Sequence, residues 1–276
     1  MKVDELDTEA DVTWCPGCNN FMLLSAVRNA IKSHGEENGY ERKDFSMAAG
    51  IGCHGKMFDY LDVGGVYNLH GRVIPTLVGM KMGNPNLQVI GFGGDGDTYA
   101  EGVSHFIHVS RLNPDATMVV HNNEIYALTT GQATPTTEKG YRTKAQPRGH
   151  FEPSMNPLEL AIINETSFVA RVNASDAEKV QEVLEKAMDW DGYAFVDVVM
   201  PCLKYNMNIQ EMQERFTYIE DEDRARKEAL ELASRWNEDE GELPLGIFYR
   251  NRKETMSERR KQLSELKEEH AGWYQT

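Results

Sequence analysis

The sequence predicts an α/β protein whose sheet is doubly wound and mostly parallel. Short apolar runs alternate with helical patterns between residues 45 and 199, and polar or glycine residues follow the runs. The clearest unit has an apolar run at Leu87–Phe92, a helical pattern at Thr98–Leu112 and a second apolar run at Thr117–His121. Strand, helix and strand in this order indicate a parallel pair with a helical crossover.

Oxygen-bearing side chains follow both strands of this unit. Asp95 comes after the first strand in the run GGDGD, and Asn123 comes after the second. Parallel strands end at the same edge of a sheet, so we expect these two side chains to lie close together. Carboxylate and amide oxygens suit Mg²⁺ or Ca²⁺, and Mg²⁺ is commonly shared with substrate phosphates. Glycines allow a close approach of backbone to phosphate, and the helix beginning after Asp97 offers unpaired N–H groups.

The other elements of this part follow from the same patterns. A helix is predicted from Asn19 or Asn20 to about His34, followed by a polar loop at 35–43 and a strand at Phe45–Ile51. A long Thr-rich loop follows Asn123 and continues to Pro157, and its length and place favour a functional role. The remaining predictions are helices at 73–82, 157–164 and 175–189 and strands at 168–172 and 193–199.

The composition changes at about Tyr218. We therefore divide the chain into a domain at 1–217 and a charged, helical C-terminal extension at 218–276. Within the extension, Leu243–Tyr249 is an apolar patch that we expect to pack against the main body or a partner.

Composition excludes several classes of function. The 276 residues carry a net charge of −15, which disfavours binding to a nucleic-acid backbone. The acidic N-terminal segment lacks the apolar core of a secretory signal, and no apolar run reaches the length of a membrane span. We expect a cytoplasmic protein that does not bind a membrane.

The chain has four cysteines: Cys15, Cys18, Cys53 and Cys202. Pro16 and Gly17 place the first two on a tight turn, and the other two follow predicted strands. A reducing compartment disfavours disulfides. A 4Fe–4S cluster and a zinc site both use four thiolates, so the residues alone do not choose between them. A redox C-x-x-C pair and four unrelated buried thiols are the remaining alternatives.

Two sets of motifs resemble a known family. GDG with NN following, so that Asp95 and Asn123 are 28 positions apart, resembles the thiamine diphosphate-binding motif. Together with WCPGC, GIGCHGK, LHGR, HNNEIYALTTGQATPTT and MPC, it resembles the β subunit of 2-oxoacid:ferredoxin oxidoreductases from about Trp14 to Asn206. The chain departs from that family at Ala127, where glycine is more usual.

The resemblance implies particular site residues. Mg²⁺ would be held by Asp95, Asn123 and the carbonyl of Ile125, and a 4Fe–4S cluster by Cys15, Cys18, Cys53 and Cys202. Lys56 is the expected catalytic cation, with a solvated surface lysine as the alternative. Thr130 and Gln132 are expected near the diphosphate. The expected thiamine diphosphate-binding residues are Ile51, Gly52, Cys53, His54, His70, Gly94, Asp95, Gly96, Asp97, Asn123, Ile125, Ala127, Leu128 and Thr129.

The resemblance also implies a reaction and partners. A 2-oxoacid would be decarboxylated oxidatively to an acyl-coenzyme A and CO₂, and electrons would pass through the cluster to ferredoxin. A separate α subunit would supply the glutamate that activates the cofactor, in a heterodimer or an (αβ)₂ heterotetramer. The ATPTT and NPLELA segments look closer to the 2-oxoglutarate branch than to the pyruvate branch.

Two other functions remain open at this point. A non-oxidative thiamine diphosphate decarboxylase subunit would share Asp95 and Asn123 but would need no cluster. A zinc-stabilised, non-catalytic assembly subunit would use the four cysteines structurally.

Overall fold

The structure, a computed structural model, describes residues 2–205, 212–237 and 241–269, the last with side chains to residue 262. In this part of the chain eight strands form one sheet in the order β2-β1-β3-β4-β8-β7-β10-β9. The eight strands are β1 (Phe45–Ala49), β2 (Gly64–Tyr67), β3 (Gln88–Gly94), β4 (Ala116–Asn122), β7 (Phe168–Asn173), β8 (Tyr193–Val199), β9 (Phe216–Tyr218) and β10 (Leu243–Arg250). Two short strands, β5 (Ile125–Tyr126) and β6 (Gln132–Ala133), form a separate antiparallel pair.

The predicted doubly wound, mostly parallel sheet is confirmed. From β2 to β7 every neighbouring pair is parallel, and β10 runs antiparallel to β7. The two central strands β4 and β8 are buried along their whole length, as expected of a parallel sheet covered on both faces.

Helices cover both faces of the sheet. The helices are α1 (Asn20–Asn38), α2 (Met57–Tyr60), α3 (Val73–Gly83), α4 (Val103–Leu112), α5 (Pro157–Ile163), α6 (Ala177–Met188), α7 (Arg226–Ser234) and α8 (Met256–Glu269). On one face α1 packs against α6, and on the other α3 packs against α4, α4 against α5 and α5 against α7. Each face has its own apolar core.

Helix α6 illustrates how the local sequence sets an element. Its buried residues Val180, Val183, Leu184 and Ala187 recur with the helical period and face the sheet. Asp176 caps its N-terminus by accepting a hydrogen bond from the backbone N–H of Lys179, a contact that contributes about 1 kcal/mol in typical helices. The predicted helix at 175–189 is therefore confirmed, with bounds shifted inward.

Several predicted bounds were wrong. Helix α1 continues four residues beyond His34 into the predicted loop and ends at Asn38, where Gly39, with φ of +76°, caps it. The helix predicted from Thr98 begins with a π-helical turn, Asp97–Glu101, before α4. The short edge strand β2 was not predicted, because its four residues are all exposed and show no alternation.

The C-terminal segment contributes to the main sheet. Leu243–Tyr249, predicted as a packing patch, lies in strand β10 and pairs with β7. In the charged stretch, α7 begins only at Arg226. The division at 217 and 218 stays a prediction. No described helix has both the length and the apolar character needed to span a membrane.

Candidate functional site

A cavity of about 390 Å³ lies at the C-terminal ends of β1, β3 and β4. These three strands are adjacent and parallel, so the segments that follow them meet at one edge of the sheet. All fourteen residues expected to bind the cofactor line this cavity, as does Gln132, whereas Thr130 is not among the lining residues. Four further lining residues were not predicted: Asn20, Glu101, His121 and Tyr126.

Asp95 is buried at the end of β3, with 3% of its surface exposed. Its Oδ2 atom accepts hydrogen bonds from the hydroxyls of Thr134 (2.6 Å) and Thr136 (3.0 Å), both from the long loop after β4. Burial raises the pKa of the Asp95 carboxyl to about 7. A cation beside this carboxyl would reverse that effect, so the site favours a positively charged ligand.

The two asparagines after β4 have different surroundings. Asn123 lines the cavity, and its Oδ1 accepts a hydrogen bond from the N–H of Ile125 (3.2 Å). Asn122 is buried, and its Nδ2 donates to the carboxylate of Asp197. Glu124 has φ of +58°, so the chain turns sharply directly after the pair.

Asn122 joins a charged network inside the protein. Arg171 and Asp197 are 1% and 0% exposed at their side chains, and Arg171 Nε donates to Asp197 Oδ2 over 2.7 Å. The hydroxyl of Tyr99 donates to Asp197 Oδ1 (2.6 Å). The guanidinium carbon of Arg171 lies 3.9 Å from the centroid of the Trp236 ring.

Asp97 is the second buried acid of the cavity. Its Oδ1 accepts the backbone N–H of Gly71 (2.7 Å), and burial raises its pKa to about 6. Its Oδ2 lies 3.7 Å from His54 Nε2, too far for a hydrogen bond. Burial is the main cause that lowers the pKa of His54, and the neighbouring His121 and His70 lower it further. The His54 imidazole is therefore neutral. The contact between Asp97 and His54 is accordingly not an ion pair.

His121 and Asn20 link the cavity to a thiol. The Nδ1 atom of His121 lies 2.7 Å from Asn20 Oδ1, and Asn20 Nδ2 lies 3.5 Å from Cys18 Sγ. Burial lowers the pKa of His121 to about 3, so the imidazole is neutral. Because Asn20 accepts from Nδ1–H, the Nε2 atom of His121 is an acceptor.

The cavity contains buried polar atoms that lack a protein partner. Within the described residues, His54 Nε2, Asp97 Oδ2 and His121 Nε2 make no hydrogen bond although all three residues line the cavity. Buried polar groups are normally satisfied, so such orphans indicate the place of a polar ligand. The cavity therefore fits a polar cofactor beside a cation.

Two glycines of the GGDGD run, Gly94 and Gly96, lie where a larger residue would clash with its neighbours. A Cβ atom on Gly96 would lie 2.1 Å from the ring of Tyr126, and one on Gly94 would lie 2.7 Å from His54 Nδ1. Gly96 itself has an ordinary right-handed helical backbone, so its conformation does not require glycine. The glycines thus let two cavity side chains approach the backbone.

The four thiols are neighbours. Gly17 (φ +80°) turns the chain between Cys15 and Cys18, and a Cβ atom on it would lie 3.3 Å from Leu203, next to Cys202. Burial, with smaller contributions from the Cys18 and Cys202 thiols, raises the pKa of Cys53 to about 11. Burial also raises the pKa of Cys18, with added contributions from Cys15 and Cys202. Cys18 and Cys53 thus lie within electrostatic range of each other and of both Cys15 and Cys202.

Cys53 also lines the cofactor cavity, so the thiols adjoin it. All four cysteines are free thiols in this structure. Within the described residues, no three His, Cys, Asp or Glu side chains form a group arranged to hold a single metal ion.

Lys56 does not line the cavity. Its Nζ atom donates to the carbonyl (3.0 Å) and hydroxyl (2.9 Å) of Thr13 in the N-terminal segment. Its positive charge partly offsets the rise in the pKa of Cys53, so it is close to that thiol. Its predicted catalytic role stays a prediction.

The fold and the site define a thiamine diphosphate-binding protein. The sequence profile of the thiamine pyrophosphate enzyme C-terminal TPP binding domain matches residues 50–198. This range contains the segment that follows β1, the ends of β3 and β4, and all the residues that line the cavity except Asn20.

Individual relatives identify the family. The chain is 39% identical over 255 residues to a 2-oxoacid:ferredoxin oxidoreductase β subunit of Saccharolobus solfataricus, covering 86% of this chain and 81% of the relative. It is 40% identical over 200 residues to the 2-oxoglutarate synthase subunit KorB of Archaeoglobus fulgidus, covering 72% and 73% of the two chains.

A solved structure agrees with these relatives. A chain of the 2-oxoglutarate:ferredoxin oxidoreductase of Magnetococcus marinus, with 2-oxoglutarate, coenzyme A and succinyl-CoA bound, superposes with a TM-score of 0.90 at 28% identity. The match covers 100% of this chain and 97% of that chain. The chain belongs to the family of 2-oxoacid:ferredoxin oxidoreductase β subunits.

Proposed function

We propose that this β subunit binds thiamine diphosphate and Mg²⁺ in the 390 Å³ cavity and catalyses, with an α subunit, the oxidative decarboxylation of a 2-oxoacid to an acyl-coenzyme A and CO₂. The observation that carries the proposal is the meeting of Asp95 and Asn123, from the ends of two adjacent strands, in a cavity that also contains unpartnered polar atoms. When bound, thiamine diphosphate supplies an electron sink that amino-acid side chains lack.

Asp95, Asn123 and the carbonyl of Ile125 would hold the Mg²⁺ of the diphosphate. The hydroxyls of Thr134 and Thr136 both donate to Oδ2 of Asp95 and so fix the orientation of its carboxylate. The raised pKa of Asp95 means that its proton leaves when the cation binds.

The histidines of the cavity would act as neutral hydrogen-bonding groups. Burial keeps His54 and His121 uncharged, so neither repels a thiazolium or a metal ion. The free Nε2 atom of His121 can accept a hydrogen bond, while Asn20 holds the ring on its other side.

Cys15, Cys18, Cys53 and Cys202 would ligate a 4Fe–4S cluster beside the cofactor. Support comes from the closeness of Gly17, between Cys15 and Cys18, to Leu203 beside Cys202, from the effect of the other thiols on Cys18 and Cys53, and from the place of Cys53 in the cavity wall. Such a cluster accepts electrons one at a time and would deliver them to ferredoxin.

The proposed substrate is 2-oxoglutarate, which places the protein in the 2-oxoglutarate branch of the family. Relatives from Archaeoglobus fulgidus and Mycobacterium tuberculosis are named for 2-oxoglutarate, and the Magnetococcus marinus structure contains it. The activating glutamate would come from the α subunit, in a heterodimer or an (αβ)₂ heterotetramer.

The test is anaerobic co-purification with the α subunit, followed by ferredoxin reduction on a panel of 2-oxoacids with coenzyme A. We expect turnover on 2-oxoglutarate, none from the β subunit alone, and iron without stoichiometric zinc. Full activity of the β subunit alone would contradict the division of the active site between subunits. Release of CO₂ without ferredoxin reduction would favour the non-oxidative decarboxylase.

A further inference from the structure

A basic loop, defined here as residues 139–151, stands out in this acidic protein. It carries Lys139, Arg142, Lys144 and Arg148 and no carboxylate between the exposed Glu138 and Glu152 that flank it, in a chain whose net charge is −15. All four side chains are exposed. The loop is therefore a local positive surface on a negatively charged protein.

The basic loop is closed at its base. The N–H of Gly140 donates to the carbonyl of His150 (2.6 Å), and the N–H of His150 donates to the carbonyl of Tyr141 (2.7 Å). At the tip, the N–H of Thr143 donates to the carbonyl of Gln146 (3.3 Å). These bonds hold the four cations together on a folded loop.

The basic loop lies directly on the turn that carries the fourth thiol, defined here as the Cys202 turn, residues 201–205. The hydroxyl of Tyr141 donates to the carbonyl of Tyr205, whose N–H donates to the carbonyl of Cys202 (3.2 Å). Lys204, on the Cys202 turn, adds a fifth exposed cation. The positive surface is thus placed beside the thiols.

Two apolar side chains accompany the cations. Phe151, at the end of the basic loop, is 73% exposed, and Leu203, on the Cys202 turn, is 42% exposed. Aromatic residues and arginines are enriched among the residues that contribute most of the binding energy in protein interfaces.

None of the four cations lines the cofactor cavity or the second large cavity among the described residues. A second cavity, of about 550 Å³, is lined by Ala145, Gln146 and His150 of the same loop, but by none of its four cations. Charges that stand outward on a closed loop suit the broad, complementary surface of a macromolecule better than an enclosed anion.

We propose that the basic loop and the Cys202 turn form the docking surface for a small acidic electron-carrier protein. This inference rests on the proposed cluster: in each encounter one electron leaves the reduced cluster, which is reoxidised, and reduces the oxidised carrier. The cations steer the acidic partner, and Phe151 and Leu203 fix it close to the Cys202 side of the thiol group.

The test uses the αβ complex with the variant R142Q/K144Q and an acidic ferredoxin as the carrier. We expect kcat/KM for ferredoxin to fall roughly fivefold at low ionic strength, with the difference from wild type disappearing at high salt. Reduction of methyl viologen, a small acceptor that needs no docking surface, should be unchanged. Phe151→Ala should also raise the KM for ferredoxin, without changing the salt dependence.

The matched control is K43Q/R252Q, which changes the net charge by the same amount. Lys43 precedes β1, and Arg252 follows the antiparallel β10, so both lie at the opposite edge of the sheet from the thiols. We expect the control to behave as wild type. Equal losses in variant and control, or a raised KM for coenzyme A in place of ferredoxin, would overturn the docking surface. A wild-type complex that cannot reduce viologen would refute the proposed function, and the docking surface with it.

Discussion

Thr134 donates a hydrogen bond of 2.6 Å to Asp95, a residue 39 positions earlier in the chain. The contact closes the long loop after β4 onto the acid at the end of β3. Thr136, from the same loop, lies 3.0 Å from Asp95 Oδ2 and 3.1 Å from Asn122 Oδ1. The loop therefore orients the carboxylate that the proposed metal site requires.

Asp95→Asn should abolish retention of thiamine diphosphate, because the variant lacks the charged oxygen that faces the metal. Asn123→Ala should weaken retention at least tenfold, since it removes one neutral ligand. Cofactor content after gel filtration in the presence of Mg²⁺ measures both effects. Asn86→Ala, at an exposed turn before β3, is the matched control and should retain the cofactor as wild type does. Full retention by both site variants would remove Asp95 and Asn123 from the metal site.

The cofactor-free protein should show an unusual pH dependence of stability that originates at Asp95. Its pKa is about 7 in the fold against 3.8 for an unperturbed carboxyl, so the folded state binds more protons between these values. The contribution of Asp95 to the free energy of unfolding therefore falls as the pH rises from about 4 to about 7, in total by a few kcal/mol at most.

Asp95→Asn cannot ionise and should escape this loss. We expect the Tm of the variant to exceed that of the cofactor-free wild type above pH 7 and to converge with it near pH 4. Thermal unfolding across this range, with a chelator present, measures the difference. A Tm difference that does not change with pH would contradict the raised pKa.

The cavity could be predicted from the sequence because it depends on strand ends. The sequence predicts parallel strands at Leu87–Phe92 and Thr117–His121, and the ends of adjacent parallel strands lie at one edge of the sheet. Asp95 and Asn123, which follow these strands, are therefore expected at the same edge. The resemblance supplied the remaining residues, and all fourteen expected residues line the cavity.

The contacts that support the cavity could not be predicted in the same way. Thr134, Thr136 and Asn20 reach it from segments whose path depends on tertiary packing. Arg171 and Asp197 sit inside strands that otherwise read as apolar runs, and a single charge in such a run gives no indication of its partner. Strand β10 was missed as part of the sheet because it follows a long charged stretch.

The buried pair of Arg171 and Asp197 should be strongly coupled. Asp197→Asn leaves the arginine charge buried without a counter-ion and should lower the free energy of unfolding by about 3–5 kcal/mol. The double variant R171M/D197L removes both charges and should recover part of that loss. Urea unfolding of wild type, R171M, D197L and the double variant measures the coupling. Additive losses in the double variant would show that the two residues act independently.

Gly96→Ala should disturb the cavity although the backbone there is helical. The new methyl group would meet the ring of Tyr126, whose hydroxyl donates to the carboxylate of Glu101, another residue of the cavity. We expect a loss of about 1–3 kcal/mol in stability and weaker cofactor binding. Gly79→Ala in α3 is the matched control, since nothing lies within 4 Å of its added Cβ, and it should be neutral or slightly stabilising. Similar behaviour of the two variants would contradict the steric role of Gly96.

Cys202 is the most informative of the four thiols, because it lies 149 positions beyond Cys53 and a C-x-x-C redox pair would not need it. In the fold Met200, just before the Cys202 turn, donates its N–H to the Asn122 carbonyl at the end of β4 (2.9 Å), and a Cβ atom on Gly17 would lie 3.3 Å from Leu203. Cys202→Ser should therefore keep the turn and the cavity but weaken one ligand of the cluster. We expect normal cofactor content and substrate binding, a labile or shifted cluster signal in the electron paramagnetic resonance spectrum of the dithionite-reduced complex, and slower ferredoxin reduction.

Leu203→Ala, on the same turn, retains all four thiols and should leave the cluster signal unchanged. An unaltered signal and unaltered ferredoxin reduction in Cys202→Ser would exclude Cys202 as a ligand and would reopen the zinc and redox-pair alternatives.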